Sequence, residues 1–191
     1  MGALTRSKSP HEAKEIHHDQ DQQQYLTFML GGEIFAIGIL GIKEIIEYGH
    51  VTPVPMMPAF IRGVINLRGS VVPVVDLSAR FSRKGTGITK RSCIVIIETQ
   101  TEDGTHDIGM VVDMVNAVLD IPAREIEPPP AFGAKIRADF IGGMAKVKDR
   151  FVIILNADHV LSIDELAMLE DVRDRMPDAP SAGADGAVPQ P

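Results

Sequence analysis

Carboxylates at the ends of apolar runs, histidines and a single cysteine are the side chains of this sequence that could perform acid–base or nucleophilic chemistry. Asp76 and Asp113 each follow a run rich in valine, where a carboxylate can act as a general acid or base but more often caps a turn or helix. His159 stands near a predicted helix start, and Cys93 begins an apolar run. An enzyme would need such groups together in one closed pocket. A small enzyme that uses strand-end acids is therefore one alternative.

The motifs that make catalysis or metal binding specific are missing from the sequence. It contains no GxxxxGK[ST] phosphate loop and no GxSxG nucleophile elbow. A single cysteine cannot build a zinc knuckle, and His11, His17 and His18 lie in a polar segment where histidines are usually solvated. We therefore expect no cofactor, no metal and no catalytic residue.

Arg68 is the polar residue whose position is most informative. It occupies a predicted tight turn, Asn66-Leu67-Arg68-Gly69, between two apolar strands. A guanidinium held there can present several fixed donors to a carboxylate or to backbone carbonyls, although an ordinary solvated turn arginine is equally compatible with the position. Glu44, beside the apolar residues Ile42 and Ile45, is its predicted partner. Such a surface pair would serve orientation more than stability.

The elements that must position these residues are short strands. Gly31-Gly32, Arg68-Gly69-Ser70, a turn containing Asp103-Gly104, and Lys148-Asp149-Arg150 each separate two apolar runs, which is a hairpin signal. Ile39 to Ile46 is predicted to be a short helical or turn-like stretch, and Pro73 predicts an edge strand or a bulge. Because closure removes exposed sheet edges, regular short strands of this kind predict small barrels.

The chain repeats its own pattern. A shift of 80 positions aligns Phe60, Ile61, Gly63, Arg68 and Asp76 with Phe140, Ile141, Gly143, Lys148 and Asn156. A shift of 73 aligns Ala36, Ile39, Ile42 and Ile45 with Gly109, Val112, Val115 and Val118. We infer two similar β lobes related by duplication, with a groove where they meet. Ile42 and Val115 would line that junction or belong to the plain core.

Composition divides the chain into a folded middle and two polar ends. The predicted boundaries are a disordered N-terminal tail over 1–20, a folded domain over 21–170 and a disordered C-terminal tail over 173–191. Within the domain we expect lobe one over about 21–88, lobe two over about 89–162 and a C-terminal helix over about 163–172. Both tails combine polar residues with little periodicity.

Charge and cysteine content limit the function classes. A net charge of −7 argues against a phosphate-backbone reader, and nine aromatic residues (2 Tyr and 7 Phe) are few for a nucleic-acid-binding barrel that stacks bases. One cysteine excludes an internal disulfide framework and fits a reducing compartment. With no signal-peptide core and no apolar run of membrane-spanning length, a cytoplasmic protein without direct membrane insertion is expected.

Several motifs of this chain resemble those of the CheW family of chemotaxis coupling proteins, in the same order and spacing. They cover roughly 22–170, and the run from Phe60 through NLRG to VVDL is the most specific part. The matching stretches are 24–28 (QYLTF), 58–63 (PAFIRG), 66–69 (NLRG), 73–77 (PVVDL), 108–113 (IGMVVD) and 140–143 (FIGG).

The resemblance implies an all-β fold of two Src-homology-3-like five-stranded barrels in tandem. It also implies a non-enzymatic adaptor at receptor arrays on the inner face of the membrane. Its partners would be the cytoplasmic tip of methyl-accepting chemotaxis receptors and the regulatory domain of the histidine kinase CheA. Matched by motif, the receptor-facing residues would be Ile42, Glu44, Gly63, Arg68 and Val115, and the kinase-facing residue would be Phe132. A CheW-like scaffold of a non-motility chemosensory pathway is the alternative within the family.

Overall fold

The computed structural model describes residues 22–81, 84–101, 104–129, 140–161 and 165, and these form two mixed sheets. The strands are β1 (Gln22–Leu30), β2 (Glu33–Gly38), β3 (Ile42–Glu47), β4 (Ile61–Leu67), β5 (Ser70–Asp76), β6 (Cys93–Thr101), β7 (Gly104–Val112), β8 (Met114–Pro122), β9 (Ile126–Glu127), β10 (Ile141–Val147) and β11 (Arg150–Leu155). One short helix, α1 (Leu77–Arg80), and three 3₁₀ turns, Ile39–Gly41, Ala123–Glu125 and Ala157–His159, complete the described elements. The all-β fold class predicted from the sequence is confirmed.

Tight turns form the hairpins because their residues accept positive φ. Gly31 and Gly32 have φ values of 60° and 87° between β1 and β2, as the glycine pair predicts. Arg68 and Gly69 have φ values of 52° and 92°, and the Gly69 N–H donates to Asn66 Oδ1 at 2.9 Å. Asparagine therefore fixes a turn whose first central residue is an arginine.

One sheet is five-stranded, in the order β3-β6-β7-β5-β4, and we call it the five-stranded lobe. Its two edge strands, β3 and β4, approach each other because the chain after β3 returns to β4. There Thr52 and Val64 exchange two backbone hydrogen bonds of 2.9 Å. This seam closes the sheet around its own apolar interior, which includes Val72, Val74 and Ile94.

The other sheet is six-stranded, in the order β8-β1-β2-β11-β10-β9, and we call it the six-stranded lobe. Strand β8 pairs with β1 at one side of this sheet. The chain then turns at Ala123–Glu125 and continues as β9, which pairs with β10 at the other side, so this lobe is also closed. Its interior contains Tyr25, Ile121 and Val152. No helix in the described part of the chain has the length and apolar character needed to cross a lipid bilayer.

The two lobes exchange strands between the halves of the chain. Hairpin β1–β2 of the first half pairs with β8 and β11 of the second half, while hairpin β6–β7 of the second half pairs with β3 and β5 of the first. The five-stranded lobe thus combines a hairpin from the second half with three strands from the first, and the six-stranded lobe combines a hairpin from the first half with four strands from the second. The predicted division into successive lobes over 21–88 and 89–162 therefore does not coincide with the sheets.

Strand register reproduces the sequence repeat position by position. Ile42 faces Ile97 and Glu44 faces Ile96 in one lobe, with a bulge at the intervening residue. Val115 faces Phe28 and Ala117 faces Thr27 in the other lobe, with the same bulge. The bulges between Ile61 and Gly63 and between Ile141 and Gly143 also correspond. The inferred duplication is therefore visible in the register of the sheets.

A third apolar cluster joins the lobes and is built from the same repeat-related pairs. We call it the central cluster. Its pairs include Phe35 with Ile108 and Ile37 with Met110, related by the shift of 73, and Val75 with Leu155, Phe81 with Leu161 and Phe60 with Phe140, related by the shift of 80. Because nearly all these side chains are buried, most of the apolar stabilisation is shared between the lobes rather than confined to either. The lobes are thus expected to unfold together.

Two local expectations were refined by the structure. The stretch from Ile39 is a single 3₁₀ turn followed by strand β3, because β-branched residues favour an extended chain once an edge is there to pair with. Pro73 pairs with Val64 of β4, whereas the ladder from β5 to β7 covers only Val74 to Asp76. The proline thus occupies a position where its missing N–H is not needed.

Candidate functional site

Arg68 and Glu44 lie together at the seam of the five-stranded lobe. Arg68 Nη2 donates to Glu44 Oε2 at 2.9 Å, which confirms the predicted pairing. Because β3 and the β4–β5 hairpin belong to opposite edges of the sheet, barrel closure is what brings the two side chains within reach. The Arg68 side chain remains 81% exposed and that of Glu44 only 23%. The carboxylate therefore holds one edge of an otherwise accessible guanidinium.

Gly63 lies in the same seam but is buried. Its φ is 140°, and a Cβ built on it would overlap the carbonyl oxygen of Thr52 and lie 2.7 Å from its carbonyl carbon. Gly143 has the equivalent position in the six-stranded lobe, where a Cβ would lie 2.5 Å from Ile126 Cγ2. Glycine at both places lets the closing segment approach β4 or β10. The structure thus gives Gly63 a role in closure.

Ile42 and Val115 are half-buried and both pack against the central cluster. Each is the last residue before the bulge in its strand, so the repeat gives them equivalent surroundings. Their repeat-related neighbours Ile45 and Val118 are 42% and 50% exposed. An apolar strip therefore continues from the central cluster to the surface on β3 and again on β8.

Lys43, at the bulge between Ile42 and Glu44, links three strands. Its Nζ lies 2.7 Å from Asp107 Oδ1 and 2.8 Å from Glu98 Oε2. Glu98 and Asp107 face each other directly across β6 and β7, so the ammonium offsets the repulsion between them. Hydrogen bonds to Asp107 and Glu98 raise the pKa of Lys43 to about 12. Lys43 therefore remains charged at any physiological pH.

Asp76 has a structural role in the five-stranded lobe. Its side chain, 1% exposed, accepts from Ala79 N at the start of α1, from Thr86 N and Oγ1, and from Arg62 Nε. Arg62 Nη2 in turn donates to Thr86 O at 2.7 Å. The carboxylate thus caps a helix, as the sequence predicts, and also holds the segment around Thr86 against the five-stranded lobe.

Asp113 also stabilises a turn. Its Oδ2 accepts from Gly31 N at 2.7 Å, and its own N–H donates to Met29 O. His159 lies in the 3₁₀ turn Ala157–His159. Among the described residues no group of three or more His, Cys, Asp or Glu side chains could hold a metal ion. Asp76 and Asp113 therefore each bind backbone N–H groups at a cap or turn.

Arg80 was missed by the sequence analysis. Its guanidinium carbon lies 4.5 Å from the ring centroid of Phe60 and 4.9 Å from that of Phe140, two residues related by the 80-residue shift. Its Nε donates to the carbonyl of Val160, the residue equivalent to Arg80 itself, and its Nη2 to Glu165 Oε2 at 2.9 Å. Arg80 therefore contacts residues from both halves of the repeat. The sequence signal that could have revealed Arg80 is a charged residue that closely follows the PVVDL motif and has apolar neighbours.

Phe132, the predicted kinase-facing residue, lies outside the described residues, as do most of the predicted C-terminal helix and both predicted tails. Of that helix only Glu165 is described, and it is helical.

Comparison with known proteins assigns the chain to one family. The model of the CheW-like domain matches residues 24–165. The chemotaxis protein CheW of Klebsiella aerogenes is 33% identical over 150 residues, which cover 78% of this chain and 88% of that protein. CheW of Thermotoga maritima is 31% identical over 152 residues, covering 78% and 93% respectively.

A solved structure supports the same assignment at the level of the fold. The crystal structure of the scaffolding protein TtCheW from Thermoanaerobacter tengcongensis superposes with a TM-score of 0.70 at 33% sequence identity. The match covers 78% of this chain and 94% of that one. Protein FrzA of Myxococcus xanthus is also similar, at 31% identity over 121 residues, 63% of this chain.

Proposed function

Because this chain belongs to the CheW-like family, we propose that it is a non-enzymatic adaptor that couples methyl-accepting chemotaxis receptors to the histidine kinase CheA. The observation that carries the proposal is the seam of the five-stranded lobe. There an exposed Arg68, oriented by Glu44, adjoins the apolar strip at Ile42 and Ile45. Such a surface suits a helical receptor tip that offers an apolar face and an acidic or carbonyl acceptor.

We propose Arg68, Glu44 and Ile42 as receptor-contacting residues and Val115 as their counterpart on the six-stranded lobe. Gly63 supports this surface by allowing the seam to close. Phe132 is retained as the proposed kinase contact. The carboxylates of Asp76 and Asp113 serve a cap and a turn, which suits a protein whose outer faces perform its function.

Coupling requires no strong single contact. Each adaptor binds a receptor at one face and the kinase at another, and in an array several modest contacts add through effective concentration. To control the kinase, the adaptor must bind its active and inactive arrangements with different affinity. The central cluster and Arg80 make the two lobes one rigid unit, so a force on one lobe is transmitted to the other.

The test is receptor-dependent kinase activity in an array reconstituted from receptor fragments, CheA and this protein. Arg68→Ala is expected to lower activation while the melting temperature stays nearly constant, because an exposed pair is worth only about 0.2–1 kcal/mol. Glu44→Gln is expected to have a smaller effect in the same direction. Arg124→Ala, which removes an exposed arginine elsewhere, is the matched control. Normal activation by Arg68→Ala would contradict the proposed surface.

A location at receptor arrays on the inner face of the membrane follows from the same proposal. A fluorescent fusion of this protein should form receptor-dependent foci that disperse when the receptors are deleted. Loss of chemotactic spreading in a deletion strain would assign the adaptor to motility. Normal spreading would assign it to another chemosensory pathway.

A further inference from the structure

The internal repeat gives the Arg68–Glu44 pair a counterpart in the six-stranded lobe. The shift of 80 positions places Lys148 where Arg68 stands, and the shift of 73 places Ala117 where Glu44 stands. Lysine keeps the positive charge of the first position, whereas alanine removes the carboxylate from the second. The six-stranded lobe therefore has the cation of the pair without its anion.

The two hairpin tips that carry these cations have similar backbones. Lys148 and Asp149 have φ values of 47° and 61°, and Arg68 and Gly69 have φ values of 52° and 92°. Both hairpins thus turn through two central residues of positive φ, although Asp149 lacks the conformational freedom of a glycine. Lys148 therefore occupies the same turn position as Arg68.

The two lobes also close in the same way beneath the tips. Val64 of β4 pairs with Thr52, and Met144, the counterpart of Val64 in β10, pairs with Glu127 of β9. The hairpin β4–β5 and the hairpin β10–β11 are therefore each held against the closing segment at an equivalent place.

Glu44 and Ala117 have equivalent positions in strands β3 and β8. Each is the first paired residue after the bulge in its strand. In the five-stranded lobe, closure brings Arg68 Nη2 to 2.9 Å from Glu44 Oε2. Because the six-stranded lobe closes in the same way, the repeat predicts that Lys148 lies beside Ala117, which is exposed.

Lys148 has no carboxylate partner in the part of the chain that the structure describes. The one acid of the β10–β11 hairpin, Asp149, pairs with Lys146 at 3.0 Å. Lys148 and Arg150 are both exposed, and neither forms an ion pair with a described residue. The surface around Lys148 is therefore positively charged and accessible to a carboxylate of another molecule.

The neighbourhood of this charge suits a helix better than a small anion. Val118, next to Ala117, is 50% exposed and continues the apolar strip that begins at Val115. A partner that covers this strip and also reaches Lys148 must offer an apolar face with an acidic residue at its border. An amphipathic helix has this arrangement.

Given the adaptor function proposed above, on which this contact depends, we propose that a carboxylate of the receptor tip takes the place that Glu44 fills in the other lobe. The acid lies over Ala117 and pairs with Lys148, while the apolar face of the same helix covers Val115 and Val118. The five-stranded lobe supplies its own carboxylate, so only the six-stranded lobe requires an acid from the partner. Lys148 thereby selects the acidic helix of the receptor.

Binding of a soluble cytoplasmic receptor fragment to the full chain, measured by titration calorimetry, tests this contact. Lys148→Ala should weaken binding about two- to fivefold, and Lys148→Glu at least about tenfold, because a reversed charge repels the acid. Lys84→Glu reverses an exposed charge in the segment around Thr86 and should leave the affinity unchanged. Parent-like binding by Lys148→Glu, or an equal loss in Lys84→Glu, would overturn the assignment to Lys148.

Variants of Ala117 supply the missing carboxylate from within the chain. The new side chain of Ala117→Glu should pair with Lys148, as Glu44 pairs with Arg68, and should weaken binding of the fragment at least about tenfold. Ala117→Gln introduces the same bulk without the charge and should weaken binding much less. If both variants weakened binding equally, bulk would explain the loss and the carboxylate site would be wrong.

An exchange of charges between the partners gives the decisive result. Each acidic residue of the fragment is changed in turn to lysine, and one change should weaken binding to the parent chain and restore binding to Lys148→Glu. Failure of every change to restore binding would overturn the contact. Binding of the CheA regulatory domain should be the same for Lys148→Glu and the parent, and a loss confined to the kinase would overturn the receptor assignment.

Failure of this contact and failure of the adaptor function have different results. A parent chain that binds the fragment with no dependence on Lys148 would contradict the contact and leave the adaptor function standing. A parent chain that does not bind the fragment at all would contradict both.

Discussion

Gly63→Ala provides a sharp test of how the five-stranded lobe closes. At a φ of 140° a residue with a Cβ is strained by about 1–3 kcal/mol. The added methyl group would also overlap the Thr52 carbonyl and displace it from Val64, with which Thr52 exchanges two hydrogen bonds worth about 1 kcal/mol each. The expected loss is therefore about 3–5 kcal/mol in the free energy of unfolding.

Two other glycines separate strain from overlap. Gly69 has a φ of 92° with nothing within 4 Å of a built Cβ, so Gly69→Ala should lose only about 1–2 kcal/mol. Gly142 has neither a positive φ nor a close neighbour, and Gly142→Ala should be neutral or stabilise by about 0.4–1 kcal/mol. From most to least stable, the expected order of the variants is thus Gly142→Ala, Gly69→Ala and Gly63→Ala.

Thermal and urea unfolding followed by circular dichroism would measure this order. At about 2–4 °C per kcal/mol for a domain of this size, Gly63→Ala should melt about 6–20 °C below the parent protein. Receptor binding measured well below that melting temperature then separates loss of fold from loss of contact. If Gly63→Ala melted with the parent, or no lower than Gly69→Ala, the proposed closure by Thr52 would be wrong.

Three further perturbations follow from buried polar contacts. Arg80→Met should destabilise the protein by about 2–4 kcal/mol, and Arg80→Lys by less, because the guanidinium contacts two rings and Glu165. An unchanged melting temperature of Arg80→Met would refute the role of Arg80 between Phe60 and Phe140. Asp76→Asn should lower the free energy of unfolding by about 3–5 kcal/mol, because Arg62 loses its buried carboxylate partner. Protease cleavage near Thr86 should become faster, and an unchanged cleavage rate would contradict the role of Asp76 in holding that segment. Burial raises the pKa of Tyr25, so stability present below pH 10 should decline as the pH rises through the raised pKa. In a Tyr48→Phe background, a phenolate absorbance that appears below pH 10 would disprove this.

The raised pKa of Tyr25 determines the direction in which the stability of the fold changes with pH. The unfolded chain ionises this phenol at a lower pH than the folded one, so the folded state binds the proton more tightly above pH 10. Tyr25→Phe should remove that part of the alkaline loss. Its hydroxyl donates to Gln23 Oε1 at 2.8 Å, a partly buried contact whose loss in Tyr25→Phe should cost about 0.5–1.5 kcal/mol.

The sequence by itself determined the hairpins and the repeat, whereas the Arg68–Glu44 pair that it suggested also required the closure of the five-stranded lobe. Turns such as Gly31-Gly32 and Asn66-Leu67-Arg68-Gly69 encode their conformation locally, because φ preference and side-chain hydrogen bonds act within a few residues. The 73- and 80-residue shifts were readable because equivalent positions need similar side chains. The family motifs lie on these same elements, which is why family membership was accessible from residues alone.

Only the tertiary structure decided which copy of each strand pairs with which hairpin. Strands β3 and β8 are alike in pattern and bulge, so local preferences cannot distinguish pairing within one half of the chain from exchange between halves. The central cluster and the segments that connect the strands settle that choice. They join residues that are far apart in the sequence, and the periodicity of a single strand carries no information about such contacts. The seam around Gly63 and the place of Arg80 between Phe60 and Phe140 depend on the same non-local packing.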